Sequence, residues 1–475
     1  MIGDTVRDRE TGRTSGIKGA RGVSALLCAG VLAGSAVLVG AAPAGAVPAA
    51  ARTPAGATGV RADDFRERLE SIPGMTVTGV EDVRGHPQYS LTFAQPVDHR
   101  DPGAGTFTQR LTLWHKATDK PTVLFTPGYD LFTEVTPLTD ILDANQVSLE
   151  HRYFEGSRPS GPAGDDWSKL TVQQEAADEH RLTQALRGVE KGKWIGVGAS
   201  KGGMTATYHE RYYPDDLDGV VAVVAPNDVD NVDNKDDRTY ERFFRTVGTR
   251  ECRDALNAVQ REMLVRRDRM LPKFEAEAKK EGATFEESLG TADRAYERGV
   301  LEQVWGFWQS GGIDNCPTVP DAKRASDDEL YSWSRKNGMG MFQDEVLGTH
   351  GGGPHDRQAA TQLGWADLKL DHLDGLRRYP GLRHPESSLP AAMRGGTYEG
   401  RTVADVDRWV RTKGERMLFI YAENDPWSAE KFTPSKRDSY RYLAPGANHV
   451  NAIEKLPPAQ LAEAVAHVKR WADVK

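Results

Sequence analysis

Cysteine is scarce in this 475-residue sequence: there are three, Cys28, Cys252 and Cys316. So few exclude a disulfide-dense scaffold, and the last two cannot build a structural zinc site by themselves. A basic excess is missing too. Lys and Arg number 61 against 69 Asp and Glu, a formal charge of −8, which leaves no broad cationic surface for a phosphate backbone, so nucleic acid is not an expected partner. Long apolar runs are absent apart from residues 23–42, and no internal repeat is visible. What remains is a composition of 38% hydrophobic and 27% charged residues, which buries a sizeable core and excludes a mainly disordered chain. At roughly 100 to 200 residues per domain, the length fits one large domain with an insertion, or two to three domains.

The single apolar run follows Arg7, Arg9, Arg13, Lys18 and Arg21 and precedes Ala44-Gly45-Ala46. A basic stretch, an apolar stretch and a small-x-small site form a secretory signal, with cleavage expected near Ala46 and residues 1–46 removed. An uncleaved anchor is the rival reading, since the run approaches the ~20 residues of a membrane span; its many Gly and Ala make it weakly apolar. Cys28 opens the run behind Leu27 instead of closing it, which argues against lipid attachment. Residues 47–62, rich in Ala, Pro, Gly and Thr, read as a disordered leader or propeptide. The expectation is a secreted, extracellular protein without stable membrane association after cleavage. In that oxidising setting Cys252 and Cys316 are expected to be bridged, a cross-link worth roughly 4 kcal/mol in the chain-entropy model; two separate buried thiols are the alternative.

Alternating apolar and polar residues predict strands over 89–93 and 108–114, with Asp101-Pro102-Gly103-Ala104-Gly105 turning between them. Short continuous apolar runs at 122–125, 146–149, 194–197, 219–224 and 417–421 read as buried parallel strands. A further strand over 441–443 and helices over 170–189 and 458–474 complete a β-then-α order. Between the strands ending at 224 and beginning at 417 lies a charged stretch with long helical patterns at 238–269 and 285–308. The predicted class is α/β. Its division is a sheet domain over 63–225 and 396–475, interrupted at 226–395 by a helical insertion of the kind that covers an active site.

Gly198-Ala199-Ser200-Lys201-Gly202 matches G-x-S-x-G between a buried strand and a helix. A nucleophilic hydroxyl must be lifted out of the sheet on a sharp turn, and the glycines keep side chains out of the crossing backbone. A glycine-rich turn without chemistry is the bland reading. The partners argue against it, because an α/β-hydrolase presents Ser, then Asp or Glu, then His, each after a strand. Asp425 follows 417–421 and His449 follows 441–443. Glu423 is the alternative acid but lies nearer the strand end, and His467 falls inside the last helix. The oxyanion donors are expected from the backbone N–H groups of Lys201 and, in the loop Thr126-Pro127-Gly128-Tyr129, of Tyr129, because Pro127 has none. The Lys201 side chain has no required role and is expected to contact solvent or lid. His350-Gly351-Gly352-Gly353 copies a lipase oxyanion motif but comes after the nucleophile, so it reads as a loop. His350, His355 and Asp356 match no metal-ligand spacing, and neither metal nor cofactor is expected.

Several segments together resemble the secreted bacterial prolyl tri- and tetrapeptidyl aminopeptidases, distant relatives of the prolyl carboxypeptidase and dipeptidyl-peptidase group. They are Phe93-Ala94-Gln95-Pro96-Val97-Asp98-His99, Gly105-Thr106-Phe107-Thr108-Gln109-Arg110, Glu150-His151-Arg152-Tyr153-Phe154, Gly198 to Gly203, Asn424-Asp425-Pro426-Trp427 and Asn448-His449. The resemblance runs from about Asp63 to the C-terminus and is weak in the insertion. It implies an α/β-hydrolase domain with a helical lid between late sheet strands, and a serine exopeptidase that releases short peptides from free N-termini with proline before the cut. Substrates would be peptides whose ammonium pairs with a lid carboxylate. Glu345 is the chosen acid, although the family's lid pattern is not clearly repeated there, and Trp427 is a wall for the proline ring or simply packing. A carboxylesterase or lipase on the same fold is the competing reading.

Overall fold

The computed structural model describes residues 62–229, 237–348 and 352–475. The proposed signal and leader up to Arg61, Cys28, His350 and Gly351 lie outside them. Nine strands form one sheet in the order β1-β2-β3-β5-β4-β6-β7-β8-β9. They are β1 (Met75–Val83), β2 (His86–Pro96), β3 (Thr106–Trp114), β4 (Thr122–Phe125), β5 (Asn145–Leu149), β6 (Trp194–Ala199), β7 (Gly219–Val223), β8 (Met417–Ala422) and β9 (Tyr440–Ala444).

β1, β2 and β3 form an antiparallel meander whose last strand pairs antiparallel with β5; from β5 to β9 every neighbouring pair is parallel. The alternating strands predicted from the sequence are β2 and β3, and the strands predicted as buried are β4 to β8, each buried along its length, although β5 carries the polar Asn145, Gln146 and Ser148 between its apolar residues. Both faces of those strands are covered. Leu124, Val147, Val220, Ala222 and Phe419 pack with Leu182, Leu186, Met204 and Val406 of the helices Val172–Leu186, Lys201–Tyr212 and Arg401–Thr412. Val123, Ile195, Val221, Val223 and Leu418 pack on the other side with Val468 and Trp471 of the helix Pro458–Trp471. Since strand side chains alternate faces, an uninterrupted apolar strand is stable only in such a sandwich. Strand β1 escaped the sequence reading because it is an edge strand: beyond its first few residues it is polar and largely exposed.

Between β7 and β8 the chain leaves the sheet and builds a helical body. Its core joins Val259, Met263, Met270, Phe274, Tyr296, Val300 and Leu330. The pattern read as one helical stretch over 238–269 is three helices, Arg238–Thr246, Arg250–Val265 and Arg267–Glu281. The first break is physical: Gly248 has φ +58°, and a Cβ there would stand 2.3 Å from the Trp308 ring, so the backbone turns on a residue without a side chain. The stretch 285–308 becomes helical only at Ala292, where the Thr291 side chain caps the helix by accepting from the Arg294 N–H. Cys252 and Cys316 are bridged, with Cα atoms 5.4 Å apart, closing a separation of 64 residues. Among the described residues no helix is long and apolar enough to cross a membrane.

Candidate active site

Strand β6 ends at Ala199 and the helix Lys201–Tyr212 begins two residues later, so Ser200 alone makes the turn. Its backbone sits at φ 55°, ψ −128°, a region costly for a residue with a side chain and held here by its surroundings. The Ser200 N–H donates to the Val223 carbonyl at 2.8 Å. A Cβ on Gly198 would come within 2.1 Å of the Gly202 carbonyl oxygen, and one on Gly202 within 2.1 Å of the Thr126 carbonyl oxygen. The glycines of G-x-S-x-G are therefore required by backbone contact with the turn itself and with the loop after β4.

Asp425 follows β8 and His449 follows β9, so with Ser200 after β6 all three stand at the carboxyl ends of parallel strands, where open α/β sheets place their chemistry. His449 Nδ1 is 2.9 Å from Asp425 Oδ2. The Asp425 carboxylate also accepts from the Ser428 hydroxyl at 2.7 Å and the Trp427 N–H at 3.1 Å. Both Asp425 and His449 are buried, and a carboxylate carrying three hydrogen bonds is compensated for its burial. A proton on Nδ1, directed at Asp425, would leave Nε2 able to accept one. Glu423 is exposed and accepts from the Gly446 N–H at 2.8 Å instead. The Ser200 hydroxyl makes no hydrogen bond to His449 among the described residues, a contact that hydrolases commonly tighten only with substrate bound. His467 is stacked on Tyr440 at 3.6 Å in the terminal helix.

The loop after β4 lies directly on the nucleophile turn. Gly128, at φ +80°, sits so close that a Cβ would meet the Gly202 nitrogen at 2.6 Å. Tyr129 and Lys201, the two proposed oxyanion donors, thus belong to segments in direct contact.

The match to known families is consistent with this arrangement: the model for PS-10 peptidase S37 covers residues 58–475. The chain belongs to the PS-10 peptidase S37 family. It is 47% identical over 418 residues to the prolyl tri/tetrapeptidyl aminopeptidase of Streptomyces mobaraensis, covering 86% of this chain and 85% of that protein. Among solved structures, the proline iminopeptidase of Mycobacterium smegmatis matches with a TM-score of 0.38 at 13% identity, over 80% of this chain and 98% of that one. The peroxisomal alpha-beta-hydrolase Lpx1 of Saccharomyces cerevisiae gives 0.35 at 9%, over 81% and 89%. At such partial overlap the α/β-hydrolase assignment rests on the strand order and on the nucleophile turn.

One expectation for this S37 peptidase is corrected. The Lys201 side chain does not reach solvent; it is buried beneath the loop after β4, with Nζ donating to the Gly128 carbonyl at 2.5 Å, in a cavity that Gln358 and Leu363 of the insertion also line. It lies 5.4 Å from the Tyr129 ring centroid and 5.3 Å from that of Phe154. As the first residue of a helix buried along most of its length, its side chain is directed inward. Burial, and next the Asp178 carboxylate, push the nearby Glu175 carboxyl up to about 8. Burial, and next the Lys201 ammonium, hold His151 well below the ordinary imidazole value. The Glu150-to-Phe154 motif serves to brace this region. Arg152 is buried against Asp178 through two hydrogen bonds of 2.6 and 2.8 Å, and the His151 N–H donates to the Tyr129 carbonyl at 3.0 Å.

The insertion of the S37 chain also reaches the site, through residues the sequence did not single out. Gln309 accepts from the His449 N–H at 3.0 Å with its backbone carbonyl, and from the Trp427 indole N–H at 2.9 Å with its side chain. The Asn448 amide donates to the Ser310 carbonyl at 2.8 Å. These contacts come from a turn over Phe307–Gly311 whose single signal in the sequence is the Gly311-Gly312 pair. Trp427 is half-buried and edge-on to Trp305 at 4.7 Å. His355 stands 5.7 Å from Tyr129, ring to ring, bringing the helix Gly353–Gln358 against the loop after β4. Glu345 is exposed on the short helix Asp344–Leu347, with Gln343 donating to it at 3.3 Å; no described contact joins it to Ser200, Asp425 or His449. Among the described residues no three His, Cys, Asp or Glu side chains are grouped to hold a metal ion.

Proposed function

We propose that this S37 serine peptidase is an aminopeptidase that releases tri- or tetrapeptides from free N-termini by cutting after proline, with Ser200 as nucleophile, His449 as base and Asp425 as the acid that orients it. The Asp425–His449 hydrogen bond, at the same carboxyl edge of the sheet as the strained Ser200 turn, carries the reading; the relative from Streptomyces mobaraensis supports the peptide class. Ser200 Oγ attacks the carbonyl carbon of the proline as His449 Nε2 takes its proton. The Lys201 and Tyr129 N–H groups receive the oxyanion, His449 passes the proton to the departing amine, and water then repeats the sequence on the acyl-enzyme. In this reading residues 226–395 are the lid over a sheet domain of 63–225 and 396–475, Glu345 receives the substrate ammonium and Trp427 borders the proline ring. The protein acts outside the cell after loss of residues 1–46, a location supported by the basic-apolar-small pattern of the N-terminus and the Cys252–Cys316 bridge.

The test compares hydrolysis of a chromogenic tripeptide ending in proline, its N-acetylated form and a short acyl ester. Preference for the free amine is expected, with Ser200→Ala reducing turnover by about a thousandfold or more while folding normally. Activity on the ester alone would move the protein to the carboxylesterase reading, and near wild-type turnover by Ser200→Ala would remove Ser200 from the mechanism.

A further inference from the structure

A lysine immediately after a nucleophilic serine contributes its backbone to the oxyanion hole whatever its side chain does. Here the side chain is buried as well, and its ammonium contacts the carbonyl of Gly128 at 2.5 Å. Gly128 and Tyr129 share one peptide unit. In a trans peptide the carbonyl and the following N–H point in opposite directions, so whatever holds the Gly128 oxygen also decides where the Tyr129 N–H is aimed. That peptide needs holding. Gly128, at φ +80°, has no side chain to resist rotation of the unit, and Pro127 before it has no N–H with which to anchor the loop. On the far side, the Tyr129 carbonyl is tied to the His151 N–H at 3.0 Å.

We propose that the Lys201 ammonium is a positioning group of the oxyanion hole, locking the Gly128–Tyr129 peptide in the orientation that presents the Tyr129 N–H to the tetrahedral intermediate. The proposal rests on the assignment of Ser200 as nucleophile and of Tyr129 as an oxyanion donor. Lys201 touches no reacting atom with its side chain; it acts through the loop. Were the lock absent, the peptide could rotate and turn the Gly128 carbonyl toward the oxyanion, replacing a donor by an acceptor. Glu175 and His151 line the same small cavity as Lys201, together with Met204, Gln358 and Leu363. Burying an ammonium is costly unless its hydrogen bonds are made, so a lysine in this position is kept at a cost that simple packing would not require.

The experiment uses Lys201→Met, which keeps the length and loses the charge and the donors, and Lys201→Gln, which keeps a donor without the charge. Turnover of the proline-terminated tripeptide substrate is measured for each. Dissociation constants of an uncleaved proline peptide are measured with each change placed in the Ser200→Ala background. Loss of one oxyanion donor lowers kcat by about a hundredfold or more, so Lys201→Met is expected to lose that much and Lys201→Gln less, with peptide affinity unchanged within about twofold. Should Lys201→Met fail to fold, Lys201→Gln carries the test by itself, through a smaller loss in kcat, still more than threefold, without loss of affinity. A kcat within threefold of wild type, or a loss that appears in peptide affinity instead of kcat, overturns the proposal. If Ser200→Ala is inactive while Lys201→Met and Lys201→Gln turn over normally, the positioning role fails alone; if Ser200→Ala itself turns over, both fall.

Discussion

The sheet and the inserted helical body meet at the same active site but supply it differently. The sheet contributes residues at the ends of strands: Ser200 after β6, Asp425 after β8 and His449 after β9. The backbone ladder sets where a strand ends, so a residue within a few positions of that end, one for Ser200, three for Asp425 and five for His449, is brought to the same edge of the sheet. The insertion contributes Gln309 and Ser310 from an irregular turn, through hydrogen bonds to Trp427, His449 and Asn448. Nothing about a glutamine following a tryptophan announces such a role; it exists only because that turn docks against the histidine loop. Chemistry built on regular elements is written locally, whereas chemistry built on docking is not.

The comparison can be broken most forcefully from the sheet side. Asp425→Asn should leave the fold intact and lower kcat by about 10⁴-fold, since the imidazole would be held in the wrong tautomer; a loss under tenfold, in steady-state assays, would remove Asp425 from the role the strand order suggests. The insertion's largest expected effect is on stability. Replacing Cys252 and Cys316 together by Ser should cost about 2–4 kcal/mol, read by chemical denaturation. If the helical body steadies the histidine loop, activity should disappear at a lower temperature than wild type, along with the insertion's structure; equal thermal inactivation would separate the bridge from the site.

Gln309→Leu is the sharper probe of docking, because it removes the acceptor of the Trp427 indole N–H at 2.9 Å while leaving the backbone contact to His449. An indole donor left without its partner costs about 1–3 kcal/mol, and the expected result is a kcat reduced about tenfold with a melting temperature lowered by a few degrees. Unchanged kcat would confine the insertion to a covering role. The smallest effect belongs to Glu345→Gln. An exposed ion pair is worth about 0.2–1 kcal/mol, so KM for a free-amine tripeptide should rise no more than about fivefold, with the N-acetylated peptide unaffected. Equal changes on both substrates would transfer the amine to another carboxylate.

Legibility follows the same division. Strands β2 to β9 are readable because buried parallel strands must be apolar on both faces and half-covered ones must alternate. The G-x-S-x-G turn is readable because close backbone contacts at Gly198 and Gly202 admit no side chain. Strand β1 is not, since pairing to β2 and not side-chain burial holds most of its length. Within the insertion, helical periodicity is visible but its interruptions are not, because the turn at Gly248 is imposed by Trp308, sixty positions away. The Lys201 side chain escapes a sequence reading for a related reason. A lysine is taken as exposed by default, and only the crossing of the loop after β4 over the nucleophile turn reveals the carbonyl that accepts from it.

Sequence alone therefore determined the α/β class, the chain order of the candidate serine, acid and base, and the pair of cysteines available to bridge, because each depends on short-range periodicity, strand-end position or residue supply. Tertiary structure decided which acid meets His449, that Lys201 is buried under the loop after β4, and that the insertion grips the histidine loop through Gln309. Those are contacts between segments far apart in the chain, set by how the surfaces pack and by which buried polar groups must find a partner.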